Sequence, residues 1–233
     1  MIAAPAEPNL PPVLSSACAA RLAPYGSHPG ERGSWRARLV RTEVAYRDRP
    51  AGRVVGVLRP AVDAEATMPW AMVVRARPVG GQCRIGLQLP ERPNGRVGWV
   101  DGRYLRLRWS PWRIEVTRAT RRAVITRDGN PVRTFSVDIG RAATPTPRGL
   151  FAVLHATPSG DDPAYGPWVL ALTAESNRLF AFAGGPGRIG LHGEGGDGAA
   201  RSAGCVRFSN DAIRWIVARI GRANLPGTAV GIR

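Results

Sequence analysis

From residue 34 onward, apolar residues fall in short alternating runs broken by Gly, Pro, Asn and Asp, the pattern of half-buried strands joined by turns. Between residues 34 and 110 such runs are Ala37–Thr42, Val44–Tyr46, Val54–Leu58, Ala71–Val74 and Arg84–Leu89, and Gly95–Leu105 closes the series. After residue 110 the alternation resumes at Trp112–Thr117, Ala123–Thr126 and Val132–Val137. Asp128-Gly129-Asn130 stands between the last two, and Asp-Gly between alternating runs predicts a hairpin, because these residues tolerate the positive φ that its tight turn needs. Further strands are predicted at 150–156, 167–173, 178–183 and 189–192. One stretch has the helical period: Ile213, Ile216, Val217 and Ile220 share a face. Ser209, Asn210 and Asp211 supply capping and favourable charge at its start, and Gly221, Asn224 and Pro226 end it. Residues 1–33, rich in Pro, Ala, Gly and Ser, read as a leader. The chain is thus predicted to be mainly β, in two units at 34–110 and 111–233.

Short strands punctuated by Gly and Pro suit a small barrel or sandwich in the first unit. Its ending, Gly98-Trp99-Val100 followed by Tyr104-Leu105, resembles bacterial SH3-like domains, which often accompany cell-wall enzymes. That resemblance implies an SH3-like small β-barrel over 34–110, although aromatic residues at these positions also suit a barrel core.

Composition changes the picture in three ways. A hydrophobic fraction of 44% is enough for a folded core, and no run approaches the roughly 18 apolar residues that span a bilayer. Net charge is +16, and all 33 basic residues are Arg. Such charge attracts polyanions. Nucleic acid, anionic cell-wall polymers and lipid headgroups are the candidates, but no nucleic-acid motif is present and the basic residues are spread along the chain. A solvated basic surface is the plainer reading. No CxxC or HxxxH pair suggests a metal site, and no Gly-rich strand–helix motif suggests a nucleotide, so neither metal nor cofactor is expected.

Three cysteines are present, Cys18, Cys83 and Cys205. In an oxidising compartment a Cys18–Cys83 bridge would leave Cys205 free; in a reducing one all three could be free. Residues 1–15 lack a basic n-region and a continuous apolar core, so no export signal is evident.

The candidate chemistry lies in Ile189-Gly190-Leu191-His192-Gly193, a Gly-rich loop, and Ser202-Ala203-Gly204-Cys205-Val206-Arg207-Phe208. A thiol nucleophile needs a base or cation to lower its pKa, and donors for the oxyanion formed on attack. A strand ending in His, a loop, then Gly-Cys ahead of a helix could assemble these groups. The segment resembles the catalytic motif of the L,D-transpeptidase family (YkuD-type domain), a His-Gly at a strand end and then Ser-x-Gly-Cys-x-Arg/Asn. Thr144-Pro145-Thr146-Pro147-Arg148-Gly149-Leu150-Phe151 and Leu225-Pro226-Gly227-Thr228-Ala229-Val230 resemble two flanking family segments. Many members carry His where this chain has Ala203, and the loop after His192 is short.

The resemblance implies a catalytic β-sandwich over 111–233 with one helix after the catalytic Cys. It implies a Cys205 nucleophile, a His192 base oriented by the Gly193 carbonyl, and peptidoglycan stem peptides as substrate. Terminal D-alanine leaves, and a 3→3 cross-link forms through a thioester. Gly204 and Cys205 N–H groups are oxyanion candidates, with Ser202 beside them. Arg207 either binds a substrate carboxylate or braces the loop, and Tyr165 matches a position near the site or is a rim aromatic. Extracytoplasmic location follows from that substrate. The alternatives are L,D-carboxypeptidase-type hydrolysis of the same thioester and a decayed wall-binding protein. SH3-bearing Cys peptidases place Cys before His, and sortases separate His and Cys much further, so both fit less well.

Overall fold

A computed structural model describes residues 32–59, 70–182 and 184–233. Cys18, His28 and the leader up to residue 31 lie outside the described residues.

The first half forms one antiparallel sheet of β1 (Ser34–Leu39), β2 (Val44–Arg47), β3 (Val54–Leu58), β4 (Ala71–Val79), β5 (Gln82–Gln88), β6 (Val97–Asp101) and β7 (Leu105–Ser110). The strand order is β3-β2-β6-β5-β4-β1-β7. Ala37, Val73, Ile85, Leu87, Val100 and Leu105 alternate inward to form its core. The edge strands β3 and β7 do not pair, so the sheet stays open where a closed small barrel was expected. No residue of β3 is buried, so nothing draws that edge across to β7.

The second half contains β8 (Trp112–Thr117), β9 (Arg122–Arg127), β10 (Asn130–Ser136), β12 (Gly149–Asp162), β13 (Gly166–Glu175), β14 (Arg188–His192), β16 (Val206–Arg207) and β17 (Ala229–Ile232). They form one sheet in the order β10-β9-β8-β17-β12-β13-β14-β16. A parallel pair, β11 (Ile139–Gly140) with β15 (Ala200–Ser202), lies beside it. The β9–β10 turn has positive φ at both Asp128 and Gly129, as its sequence predicts. The 14-residue β12 changes partners midway: Gly149–Ala152 pair with β17, and Val153 onward pair with β13. That corner lets both ends of the sheet face one core. Ile114 and Ile125 from one end, and Leu170 and Leu191 from the other, share a cluster with Ile213, Ile216 and Val217 of α1 (Asn210–Ile220).

The strand expected at 178–183 does not form over its described residues, 178–182. Ser176 Oγ accepts from the N–H groups of Arg178 (3.2 Å) and Leu179 (3.0 Å), turning the chain out of the sheet, and the Ser176 N–H donates to the Gly187 carbonyl (2.8 Å). Phe180 and Phe182 are left exposed on the resulting loop.

Candidate active site

β14 alternates as its sequence requires. Ile189 and Leu191 enter the core, so Gly190 and His192 occupy the opposite face. β16 runs parallel beside it, with Leu191 opposite Val206 and His192 opposite Arg207. Cys205, the residue before β16, therefore comes alongside Gly190, and its Sγ accepts a hydrogen bond from the Gly190 N–H at 3.4 Å. The thiol is thus held at Gly190, two residues before His192 on β14.

Hydroxyl groups fix the backbone around the thiol. Ser202 Oγ donates to the Cys205 carbonyl (2.6 Å) and accepts from the Gly204 N–H (3.1 Å). Thr146 Oγ1 donates to the Gly204 carbonyl (2.8 Å) and accepts from the Gly140 N–H (2.8 Å). Thr144 Oγ1 donates to the Ser202 carbonyl (3.3 Å). Gly204 has φ +127°, and a Cβ there would meet Ile189 Cδ1 at 3.0 Å, so only Gly suits the bend. Of the two oxyanion candidates, the Gly204 N–H is engaged by Ser202. The Cys205 N–H donates to no acceptor among the described residues and is the better oxyanion candidate.

His192 is 2% exposed and meets the half-buried Tyr165 ring edge-to-face, centroids 5.2 Å apart. The Gly193 N–H donates to the Tyr165 carbonyl (2.8 Å), which ties that aromatic to the strand end. His192 Nδ1 is buried and makes no hydrogen bond of normal geometry among the described residues. Burial, and then the Arg207 charge, push the imidazole pKa down from 6.5 to about 4; the Gly193 and Tyr165 carbonyls and the Glu194 carboxylate oppose this. Burial raises the Cys205 thiol, against the Gly190 N–H and the charge of Arg207. Both groups are therefore neutral at pH 7, which suits a general base more than a standing thiolate–imidazolium pair.

Two residues at this site were not singled out as site residues from the sequence. Asp138 is fully buried and accepts from the Ala199 N–H (2.8 Å) and from Arg201 Nε (2.9 Å). Its backbone pairs both ways with Arg207 at 2.9 Å, so it bolts the loop after His192 to the strand after Cys205. Arg207 itself makes no ion pair among the described residues, and its Nε is buried without a partner. Asn210, read as part of the helix cap, turns its side chain to that loop instead. It accepts from the Glu194 N–H (3.0 Å) and donates to Glu194 Oε1 (2.6 Å), while a Cβ on Gly193 would strike its Oδ1. A lone carboxylate within Val137-Asp138-Ile139-Gly140 was the available signal for a buried, paired acid.

Cys205 is a free thiol, and Cys83 is disulfide-bonded. Its expected partner, Cys18, lies outside the described residues. Among the described residues no group of three or more His, Cys, Asp or Glu could hold a metal ion, and no helix is long and apolar enough to cross a membrane.

The L,D-transpeptidase catalytic domain model, YkuD, matches residues 111–232. Among solved structures, an Enterococcus faecium L,D-transpeptidase is 18% identical, with 52% of this chain and 49% of that chain covered and a TM-score of 0.39. A Bdellovibrio bacteriovorus protein is 24% identical, with 53% and 48% covered and a TM-score of 0.41. L,D-transpeptidase 3 of Mycobacterium tuberculosis is 13% identical, with 65% and 91% covered and a TM-score of 0.41. The match spans about half the length of the first two. No curated protein matches.

Proposed function

The chain belongs to the YkuD family of L,D-transpeptidase catalytic domains, and from that premise we propose that it is a cysteine-dependent peptidoglycan L,D-transpeptidase working outside the cytoplasm, with residues 111–233 as its catalytic domain. The observation that carries this reading is the Cys205 thiol, held on the Gly190 N–H two residues along the strand from the buried, neutral His192.

Cys205 Sγ attacks the carbonyl on the carboxyl side of the diaminoacyl residue at stem position three. His192 takes the thiol proton, and the oxyanion accepts from the Cys205 N–H. The C–N bond then breaks, His192 returns the proton to the departing D-alanine amine, and a thioester remains. The side-chain amine of a second stem attacks that thioester. The C–S bond breaks, the amine's proton returns through His192 to sulfur, and a 3→3 cross-link results. The Arg207 charge adds to the burial that holds His192 neutral, and its half-buried guanidinium is the candidate partner for a substrate carboxylate. Tyr165 lines the imidazole.

An L,D-transpeptidase has been solved in complex with imipenem, and carbapenems provide the test. Intact mass after incubation with imipenem is expected to show one adduct on wild type and none on Cys205→Ala. A folded wild type that takes no adduct would overturn the enzyme reading. Stem peptides then distinguish transfer, which yields a cross-linked product, from hydrolysis, which releases D-alanine alone.

A further inference from the structure

Arginines that look dispersed in the sequence converge on one face of the first sheet. β1 and β7 pair with Arg36 opposite Arg108 and Arg38 opposite Arg106. These two pairs rise from the same face, one two-residue step apart, roughly 7 Å along the strands. Between them in the register, Ala37 points the other way into the core. The guanidinium groups of Arg36, Arg38 and Arg108 gather over the Trp70 ring, 4.9, 5.6 and 5.8 Å from its centroid. Arg36 is turned inward onto backbone carbonyls. Arg38, Arg106 and Arg108 are exposed, and the ion pairs among the described residues all involve other arginines. Like charges directly opposite one another destabilise a sheet, and this sheet holds two such pairs with no acid paired to them among the described residues.

We propose that Arg38 and Arg108, over Trp70, together with Arg106 opposite Arg38, form a binding site for a phosphodiester polymer of the cell wall. A phosphate can accept from several converging guanidinium groups at once, whereas one guanidinium fork already occupies both oxygens of a carboxylate. Two arginine pairs in a row suit successive phosphates of one strand. Trp70 is covered by cations, so it offers no bare ring for base stacking, which disfavours single-stranded nucleic acid. The wall as source rests on the family reading; the phosphate site rests on the sheet alone. Gly227, which leads into β17, packs against Arg36 and Trp70. From β17 to β16 is four strand spacings, about 19 Å. A polymer held here would anchor the enzyme close to its substrate and raise the effective concentration of stems at Cys205.

The test uses the full chain and inorganic polyphosphate of defined length, with binding followed across a salt series. Arg38→Gln, Arg106→Gln and Arg108→Gln are combined in one variant, and Arg49→Gln, Arg122→Gln and Arg178→Gln in a charge-matched control. The first variant is expected to lose affinity about tenfold or more and to flatten the log–log salt slope by about 2–3, close to one unit for each guanidinium removed from a phosphate. The control is expected to bind like wild type. The first variant should also melt no lower than wild type, because it removes like-charge pairs. Equal losses in both variants would reduce the site to net charge. Polyglutamate competing as well as polyphosphate would overturn phosphate recognition, and an oligonucleotide binding more tightly per phosphate would overturn the wall source. The imipenem adduct is scored on the same samples. An adduct without polyphosphate binding sinks the anchoring site alone, and binding without an adduct sinks the catalytic reading alone.

Discussion

His192 is held neutral by the same packing that positions it, which makes its protonation a stability question as well as part of the proposed mechanism. Its pKa is about 4 in the fold against an ordinary 6.5. The unfolded chain therefore binds the proton more tightly, and stability is lost as pH falls from about 6.5 toward 4. Between pH 7 and 4.5 this single group is expected to remove about 2–3 kcal/mol. Melting curves of wild type and His192→Gln at both pH values check it: the gap between the two proteins should shrink on acidification. A constant gap would mean that the imidazole is not held in its neutral form. At this scale the segments of Cys205 and His192 stood out because ordered motif residues flank them, and the structure sets those segments side by side. Asp138 was not, because its partners Ala199 and Arg201 lie 61 and 63 positions away and only the β11–β15 pairing brings them together. The hydroxyls of Thr144 and Thr146 stand in a segment whose motif is plain in the sequence. That they grip the carbonyls of Ser202 and Gly204 depends on the same pairing.

Elements were legible where local chemistry decides them. The α1 face of Ile213, Ile216, Val217 and Ile220 is buried as its period requires. The cap is narrower than the sequence suggested: Ser209 Oγ alone among the three candidates accepts from the helix, from the Ala212 N–H at 3.2 Å. Ser209→Ala is expected to cost about 1 kcal/mol, read as a lower midpoint in urea with an unchanged slope. Because α1 packs on β13 and β14, a change in imipenem adduct rate from this variant would show that the helix start also positions the loop through Asn210. The strand expected at 178–183 failed for an equally local reason. The apolar run Leu179-Phe180-Ala181-Phe182 reads as a strand, but Ser176 captures two backbone N–H groups before a ladder can start.

At the scale of the molecule, the two sheets are joined by more than the chain crossing at Pro111. Arg36, only 4% exposed, reaches from β1 to the carbonyls of Ala223 (3.3 Å), Asn224 (2.9 Å) and Pro226 (3.3 Å), just past the end of α1. Gln88 donates to the Leu150 carbonyl (2.7 Å) and accepts from Thr173 (2.6 Å). Asn94 pairs with the backbone of Glu175 in both directions. Met72 packs with Ala152 and Ala229. None of this was legible, since each contact joins residues far apart in sequence whose own segments look like ordinary strands or turns. A first unit tethered only by a flexible linker would melt by itself. This one is bonded through buried polar groups that neither half can satisfy alone, so a single unfolding transition is expected. Truncating Arg36 to Ala would strand three carbonyls and is expected to cost about 3 kcal/mol, which for a chain of this size lowers Tm by about 6–12 °C. Calorimetry on wild type and Arg36→Ala reads both quantities. A single endotherm in wild type with a large drop in the variant would mean that the first sheet is part of the catalytic body. Two endotherms in wild type, only the lower one moving in the variant, would mean that the halves fold separately and that Arg36 merely docks them.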